Sequence, residues 1–546
     1  MIKLRYYQHE AIEALYRYFN TYASGNPIID TPTGSGKSMI LAAFIRRFLE
    51  DCPRANVIVL THVKELIEQD AQAILRYWPE APISFWSAGI GIKEKAQITV
   101  AGIQSIHSHP TLFSPCDVVI IDECHLMSKN SDTMYRRFIA GLLIHNPNLK
   151  VIGLSATPYR LDSGLLTEGK GRIFTDIAYS ANVGDLIAEG FLSSLVSKAG
   201  MTRADLTGLH TRGGEFLPAE LADRMDKVEL IRGAVDEMLA YGQRRKSWLV
   251  FCSGVQHAQH VADCLNLNGI PTATIHGETP KGERAKILAD FKAGRIRALT
   301  NADVLTTGFD HPGVDMIALL RPTKSVGLYV QILGRGLRVT YANGFDLETA
   351  EGRLAAIMAS GKQNCLVLDF AGNVSLHGPI DCIKIKPKAA PGEDSISVAP
   401  VKECPSCNSL VHASIMLCPE CGHEWEASAK HDAVASDAAL LASQIEPKEY
   451  RVTGMALARH KKMGKPDSLR VTYSCGDLKT FTEYVAIESP LSYPRKLAVN
   501  WFWKRGMVAP KEVGEALFMT IPTPETITVI PDGKYHKITN ATFKHE

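Results

Sequence analysis

One octapeptide constrains this chain more than any other feature: Thr31-Pro32-Thr33-Gly34-Ser35-Gly36-Lys37-Ser38, set between the short apolar run 27–29 and the helix-patterned stretch 39–48. Strand, glycine-bearing turn and helix, in that order, make a loop whose backbone N–H groups converge on phosphate oxygens at a helix N-terminus, where the dipole also favours anions. In such a loop Lys37 reaches the outer phosphates of a nucleotide and Ser38 holds Mg2+. Thr31 stands where the general pattern has a glycine. An incidental glycine-rich turn would look similar, so the octapeptide needs a second, independent signal.

That signal is Val118-Val119-Ile120-Ile121-Asp122-Glu123-Cys124-His125. An apolar strand ending in two carboxylates sets Asp122 beside Mg2+ and leaves Glu123 to polarise an attacking water. Without a metal, two like charges desolvated together would be costly. Two such motifs in this order point to ATP and Mg2+ as cofactors.

The rest of the chain gives these motifs a frame. At 546 residues it is too long for one core. Short β-branched runs alternate with amphipathic stretches up to about residue 369: 57–60, 98–101, 118–121 and 151–154, then 248–251, 272–275, 298–300, 316–320 and 365–368. Strands interleaved with helices imply parallel sheets covered on both faces, and two series imply two doubly wound α/β lobes. The expected domains are a first lobe at 1–195, a connector at 196–227 with Gly208, Gly213 and Gly214, and a second lobe at 228–380. A Lys-, Pro-, Ala- and Ser-rich linker comes next at 381–402, then a metal-binding module at 403–426 and a mixed α+β accessory domain at 427–546. That last domain opens on an Ala-rich, helix-prone stretch at 429–445. The first ten residues lack an apolar signal core, and no apolar run is long enough to span a bilayer, which argues for a cytoplasmic protein with no membrane partner. Its 12 cysteines are then reduced core residues or metal ligands.

Further segments fall at the spacing of a known family. Leu4-Arg5-Tyr6-Tyr7-Gln8, Leu60-Thr61-His62-Val63-Lys64-Glu65-Leu66, Gly102-Ile103-Gln104-Ser105 and Ser155-Ala156-Thr157 lie in the first lobe. Val250-Phe251-Cys252, Thr306-Thr307-Gly308-Phe309-Asp310 and Gln331-Ile332-Leu333-Gly334-Arg335-Gly336-Leu337-Arg338 lie in the second. With the two motifs above, they make the chain resemble superfamily 2 helicases of the DEAD/DEAH-like group over about its first 370 residues. Within that group it is most similar to the bacterial RadD-type DNA-repair helicases, through 61–68, 122–125, 304–310, 319–326 and 331–338. The resemblance implies two tandem RecA-like lobes that clamp ATP. Arg5 and Gln8 would recognise adenine, Thr33, Gly34, Ser35 and Gly36 the phosphates, and Gly308 and Asp310 would border the nucleotide. It implies that Thr61, His62, Lys64, Gln104 and Ser105 touch a nucleic-acid backbone, and that Gln331 meets His125 across the closed cleft. Arg335 and Arg338, three apart on a helix, would both face the γ-phosphate, a task suited to a permanent charge on a planar fork.

Cys404-Pro405-Ser406-Cys407 and Cys418-Pro419-Glu420-Cys421-Gly422 are two C-P-x-C knuckles, which can deliver four thiolates to one tetrahedral Zn2+. Four thiolates leave no open position, so this metal is structural; iron with the same ligands, or free thiols, are the alternatives. Formal net charge is only +2, yet residues 451–510 hold 11 Lys plus Arg against 4 Asp plus Glu. There Lys461, Lys462, Lys504 and Arg505 lie near Trp501 and Trp503, a pairing that suits phosphates and stacked bases; a solvated face over a buried core reads equally well.

The combined expectation is a nucleic-acid-stimulated ATPase that moves along or opens DNA, with Lys37, Asp122, Glu123, Gln331, Arg335 and Arg338 at its catalytic centre. An RNA helicase, or an ATP-switched scaffold docking a protein partner through the zinc module or C-terminal domain, are the alternatives. Glu123 argues against a pure switch, because binding alone needs no water-polarising carboxylate.

Overall fold

Apolar runs in the first 180 residues become one eight-stranded sheet, in the order Asp176–Ser180, Pro27–Asp30, Lys150–Ser155, Val118–Ile121, Val57–Thr61, Ile98–Gly102, Ile83–Ser87 and Ile92–Lys93. Every neighbouring pair is parallel except the last. Val57–Thr61, Ile98–Gly102 and Val118–Ile121 are buried along their whole length, as strands covered on both faces must be. One face packs Ile40, Phe44, Ile67 and Ile74 from the helices Lys37–Asp51 and Lys64–Tyr77; the other packs Tyr135, Phe138 and Leu142 from Lys129–His145. The computed structural model describes residues 2–22, 24–127, 129–160, 164–168, 171–202, 204–212, 215–302, 304–305, 309–380, 401–412, 417–425, 448–462, 465–476, 479–489, 492–532 and 535–543. Most of the expected linker (381–400), the Ala-rich stretch at 429–445, and Gly308 with its neighbours Thr306 and Thr307 lie outside the described residues.

A second sheet, parallel throughout, runs Leu195–Ala199, Cys365–Asp369, Met316–Leu320, Trp248–Cys252, Ala298–Ala302 and Thr272–Ile275. Its edge strand corrects the sequence reading, which begins the connector at residue 196. Leu195–Ala199 pairs from Leu195 opposite Cys365 to Ala199 opposite Asp369, so the second sheet takes its edge from that connector. The segment is short, half-buried and partly polar, as an edge strand is, and so lacks the apolar run that marks a central one.

Two described parts of the remaining connector are hydrogen-bonded to the second lobe. The Glu237 carboxylate accepts the backbone N–H groups of Met201 and Thr202. Glu215, on a two-stranded hairpin, accepts the Thr323 hydroxyl at 2.7 Å and the N–H groups of Lys324 and Ser325 at 2.9 and 3.0 Å. Those donors lie at the N-terminus of the helix Val326–Gly334, where a carboxylate also meets the positive end of the dipole.

Residues 424–546, with 412–417, form a separate compact unit. Its five-stranded antiparallel sheet runs Thr480–Val485, Lys465–Cys475, Lys448–Lys462, Thr526–Asp532 and Tyr535–Thr542. Its core includes Leu469, Val471, Tyr473, Phe502, Val513 and Ile527, drawing on the helices Ser492–Trp503 and Val513–Phe518.

Replacing Glu215 by alanine should strip three donors of their acceptor and cost about 1–2 kcal/mol. In urea the second lobe of Glu215→Ala is expected to unfold earlier; an unchanged midpoint would show that this contact does not anchor the connector.

Candidate active site

The phosphate loop takes its shape from two glycines in the left-handed region, Gly34 at φ +89° and Gly36 at φ +85°. A side chain at Gly36 would strike Gln8 Nε2 at 2.6 Å. Gln8 is held there for a reason: its Nε2 donates to the Ser35 carbonyl at 3.0 Å, which also accepts the Tyr7 hydroxyl at 2.7 Å. Gln8 Oε1 in turn accepts the Arg5 N–H at 3.0 Å. Arg5 donates to Tyr7 Oη at 2.9 Å and lies 5.2 Å from the Phe191 ring centre. Arg5, Gln8 and the loop are thus one unit, with Ser35 buried and Thr33 and Ser38 half-buried.

Lys37, opening the helix Lys37–Asp51, is buried and pairs with Glu123 at 2.9 Å. Glu123 comes after the strand Val118–Ile121 and Asp122, with a left-handed backbone (φ 45°) that a non-glycine residue adopts only at a cost. Burial, then the charge on Glu123, pushes the Asp122 carboxyl up to about 7. Burial acts on Glu123 in the same sense, but Lys37 and then His125 outweigh it and hold that carboxyl below its ordinary range. Of the two, Glu123 is the carboxyl whose ionised form its neighbours favour, as suits a water-polarising group.

A third carboxylate belongs to none of the sequence motifs. Asp70, on the helix Lys64–Tyr77, is buried beside Ser38, Asp122 and Glu123, and burial followed by those two charges pushes it far above the carboxylate range. Its one signal in the sequence is that it interrupts the inner stripe Leu66, Ile67, Ala71 and Ile74.

The second lobe closes the site. Gln331 Nε2 donates to His125 Nε2 at 2.8 Å, so His125 carries its proton on Nδ1 and donates it to Ser155 Oγ at 2.9 Å. Glu123 lies 3.3 Å from that same Nδ1, and Ser155 Oγ also accepts the Thr157 N–H. Arg335 and Arg338 converge, though not along one helix as the sequence reading has it. The helix Val326–Gly334 stops before Arg335, and Arg338 lies beyond the next turn. Two glycines let this turn pack closely: a Cβ at Gly334 would lie 2.5 Å from Thr33, and one at Gly336 2.7 Å from Cys365 Sγ. Both guanidinium groups donate to the Phe309 carbonyl, and Arg338 pairs with Asp310 at 3.0 Å. Burial, then Arg338, pushes Arg335 down to about 9.

The nucleic-acid candidates divide sharply. Thr61 is fully buried and its hydroxyl accepts the Val63 N–H, so its side chain serves the fold. Lys64 donates to the Gly89 carbonyl, Ser105 Oγ accepts the Ala88 N–H, and Gln104 donates to the His62 carbonyl at 3.3 Å. These contacts gather His62, Lys64, Gln104 and Ser105 on one rim, where Gln104 is the exposed member. In the C-terminal unit Lys461 and Lys504 are exposed, while the Lys462 side chain lies outside the described residues. Arg505 is a correction. It is buried, donates to Trp501 O and Tyr473 Oη, and stacks 3.4 Å from the Trp501 ring centre, so no phosphate reaches it. Trp501 and Tyr473 are core, where the sequence pattern allows a stacking platform.

The four cysteines of the two knuckles bring their Sγ atoms within 4.8 Å of one another. Cys404 and Cys421 lie 3.7 Å apart, as do Cys407 and Cys418, close to the edge of a tetrahedron with metal–sulfur bonds of about 2.3 Å. The hairpins match: Asn408 N–H donates to Cys404 O and Gly422 N–H to Cys418 O, with both donors at positive φ. The donor set fits tetrahedral zinc. Among the described residues eleven cysteines stand outside any disulfide; of those beyond the two knuckles, Cys116, Cys252 and Cys365 are buried and Cys264 half-buried.

Two family models match the chain: "Type III restriction enzyme, res subunit" over residues 1–160 and "Helicase conserved C-terminal domain" over 229–340. The first model falls on the eight-stranded lobe and the second on the six-stranded lobe, so each of the two lobes matches a helicase- or restriction-type family. It is 28% identical over 389 residues to the "Putative ATP-dependent helicase IRC3" of Saccharomyces cerevisiae, covering 68% of this chain and 52% of that protein. To the "Putative mitochondrial ATP-dependent helicase irc3" of Schizosaccharomyces pombe it is 29% identical, covering 69% and 59%. The chain thus spans between half and three-fifths of these relatives. It is 23% identical to the "ATP-dependent DNA helicase uvsW" of phage T4, covering 64% and 69%. A fragment of a putative HsdR subunit of a type I restriction enzyme from Vibrio vulnificus shares the fold at TM-score 0.50 and 21% identity, covering 68% and 65%. Among the described residues no helix is long and apolar enough to cross a membrane.

Metal analysis of purified protein is expected to find close to one zinc per chain. Serine at both Cys404 and Cys407 should abolish it, because ligand binding supplies the module's folding energy. An active protein with no zinc would refute the ligand set.

Proposed function

We propose that this protein is an ATP-driven motor that translocates on or unwinds DNA, in repair, recombination or replication, in a reducing cytoplasmic compartment. The observation that carries this reading is the hydrogen bond from Gln331 to His125, with the ion pair from Lys37 to Glu123 beneath it. Glu123 lies against both Lys37 and His125, so the group that would activate water is wired to the phosphate loop and to the opposite lobe. Arriving phosphates compete for Lys37, which would release the Glu123 carboxylate to orient water. Arg335 and Arg338 take charge developing on the transferred group. Ser38 and Asp122 would hold Mg2+, which neutralises phosphate charge. Release of phosphate relaxes the Gln331–His125 contact and lets the lobes part.

DNA is favoured by the resemblance to RadD-type repair enzymes and by the description of the phage T4 relative. Stimulation of ATP hydrolysis by single-stranded DNA, duplex DNA, forked DNA and RNA, compared side by side, decides the polymer. Stimulation by RNA alone would replace this reading with an RNA helicase, and no stimulation at all would favour an ATP-switched scaffold.

Glu123→Gln should keep ATP binding while turnover falls about a hundredfold or more. Near-normal turnover would remove Glu123 from its role. In the C-terminal unit, Lys461 and Lys504 are the exposed cations proposed to grip phosphate. Replacing both by alanine should lower the slope of log affinity against log salt by about 2 on duplex DNA. An unchanged slope would take the C-terminal unit out of the DNA footprint.

A further inference from the structure

A lysine outside every recognised motif occupies a decisive position in the second lobe. Lys362 is 3% exposed, and its ammonium group donates to three backbone carbonyls: Pro312 at 2.9 Å, Gly336 at 2.9 Å and Arg338 at 2.5 Å. Those acceptors belong to two loops. Pro312 lies just past Phe309 and Asp310, while Gly336 and Arg338 belong to the turn that carries both arginines. The same two loops are tied a second time by the arginine side chains on the Phe309 carbonyl and by the Arg338–Asp310 pair. Lys362 is thus a cross-brace behind the arginines, fixing the backbone from which the Arg338 side chain departs.

Chemistry explains why a lysine stands there. An ammonium has three donors, and this site offers three carbonyls. An apolar side chain would fill the space and leave the carbonyls unpaired; a strand cannot reach acceptors on two loops. Burial pushes the Lys362 ammonium down to about 8, so it remains mostly charged at neutral pH. Keeping a charge so buried is costly, which a site serving packing alone would avoid.

We propose that Lys362 is a positioning residue for ATP hydrolysis, holding the Phe309–Pro312 and Gly336–Arg338 loops in register so that Arg335 and Arg338 meet the transferring phosphoryl group. The inference rests on the reading of those arginines as the cations that stabilise the transferred charge.

The test compares ATP turnover and ATP-analogue binding for the full-length wild type, Lys362→Met, Lys362→Gln and Arg338→Ala, and for the two Lys362 variants combined with Arg338→Ala. Single Lys362 variants are expected to lose about 10- to 100-fold in kcat, since misplacing a catalytic group by about 1 Å has that effect. Analogue affinity and KM should stay within about threefold, because ground-state phosphate contacts come from the first lobe. On top of Arg338→Ala the added loss should shrink to about threefold or less, since the brace then has little left to position. A kcat within about twofold of wild type in either folded Lys362 variant overturns the proposal. So does a full, undiminished loss in the Arg338→Ala background. Unfolding of both Lys362 variants would assign the residue to stability and overturn it equally. An Arg338→Ala variant with unchanged kcat would instead overturn the reading of the arginines, and this inference with it.

Discussion

Three carboxyl groups, Asp70, Asp122 and Glu123, act on one another beside the phosphate loop, and most of the site can be understood as a response to them. Asp70 and Asp122 are buried and Glu123 is half-buried, and Lys37 is the cation in direct contact with Glu123. Like charges at such separations cannot all remain ionised, so Asp70 and Asp122 are pushed up while Glu123, next to Lys37, is held down. A divalent cation at Ser38 and Asp122 would reverse that pressure, and phosphates would draw Lys37 away from Glu123. On the proposed function the site would have two charge arrangements, and exchanging them would change which partner Lys37 and Glu123 hold. Arg335 adds to the balance from the other side, its own charge weakened by burial and by Arg338.

That coupling needs close approach, and glycines permit it. Gly334 packs so tightly on Thr33 that the motif helix of one lobe rests on the phosphate loop of the other. Tyr7, Phe191, Leu192 and Leu337 form a small apolar cluster beside this contact. Arg353 adds a strap: it donates to the carbonyls of Glu189, Leu347 and Glu348, and its guanidinium lies 3.9 Å from the Phe191 ring centre. On the proposed function, these van der Waals contacts and directed hydrogen bonds are the route by which nucleotide chemistry would reach lobe position.

The parts legible in the sequence are those with local signatures. Central strands such as Val118–Ile121 and Met316–Leu320 announce themselves because burial on both faces demands uninterrupted apolar residues. The phosphate loop, the carboxylate pair and the cysteine knuckles are likewise short and chemically specific. The parts that escape depend on partners distant in the chain. Asp70 and Lys362 matter through neighbours that only the fold supplies, and Leu195–Ala199 is a strand because Cys365–Asp369 lies beside it. Arg505 and Trp501 show the opposite failure. A basic and aromatic cluster has the same composition whether it faces solvent or forms a core, and here Tyr473 and Glu483 complete a buried cation–aromatic network.

The four-cysteine module answers a different constraint. The edge strand Leu195–Ala199 would expose unpaired backbone groups along the rim of the second sheet, a standing liability for any edge. The first knuckle covers part of it: Ala199 N–H donates to Asn408 O at 3.0 Å, Lys198 bridges Ser409, and the Lys198 ammonium donates to Cys407 O at 2.8 Å. Asn408 makes that contact from a left-handed turn, a conformation set by the geometry that brings Cys404 and Cys407 to one point. The knuckle's shape and the strand's protection thus depend on the same turn. Because Leu195–Ala199 also begins the return from the first lobe, the module grips the chain where one lobe hands over to the other. A metal held there would stiffen the second lobe at its junction without touching ATP.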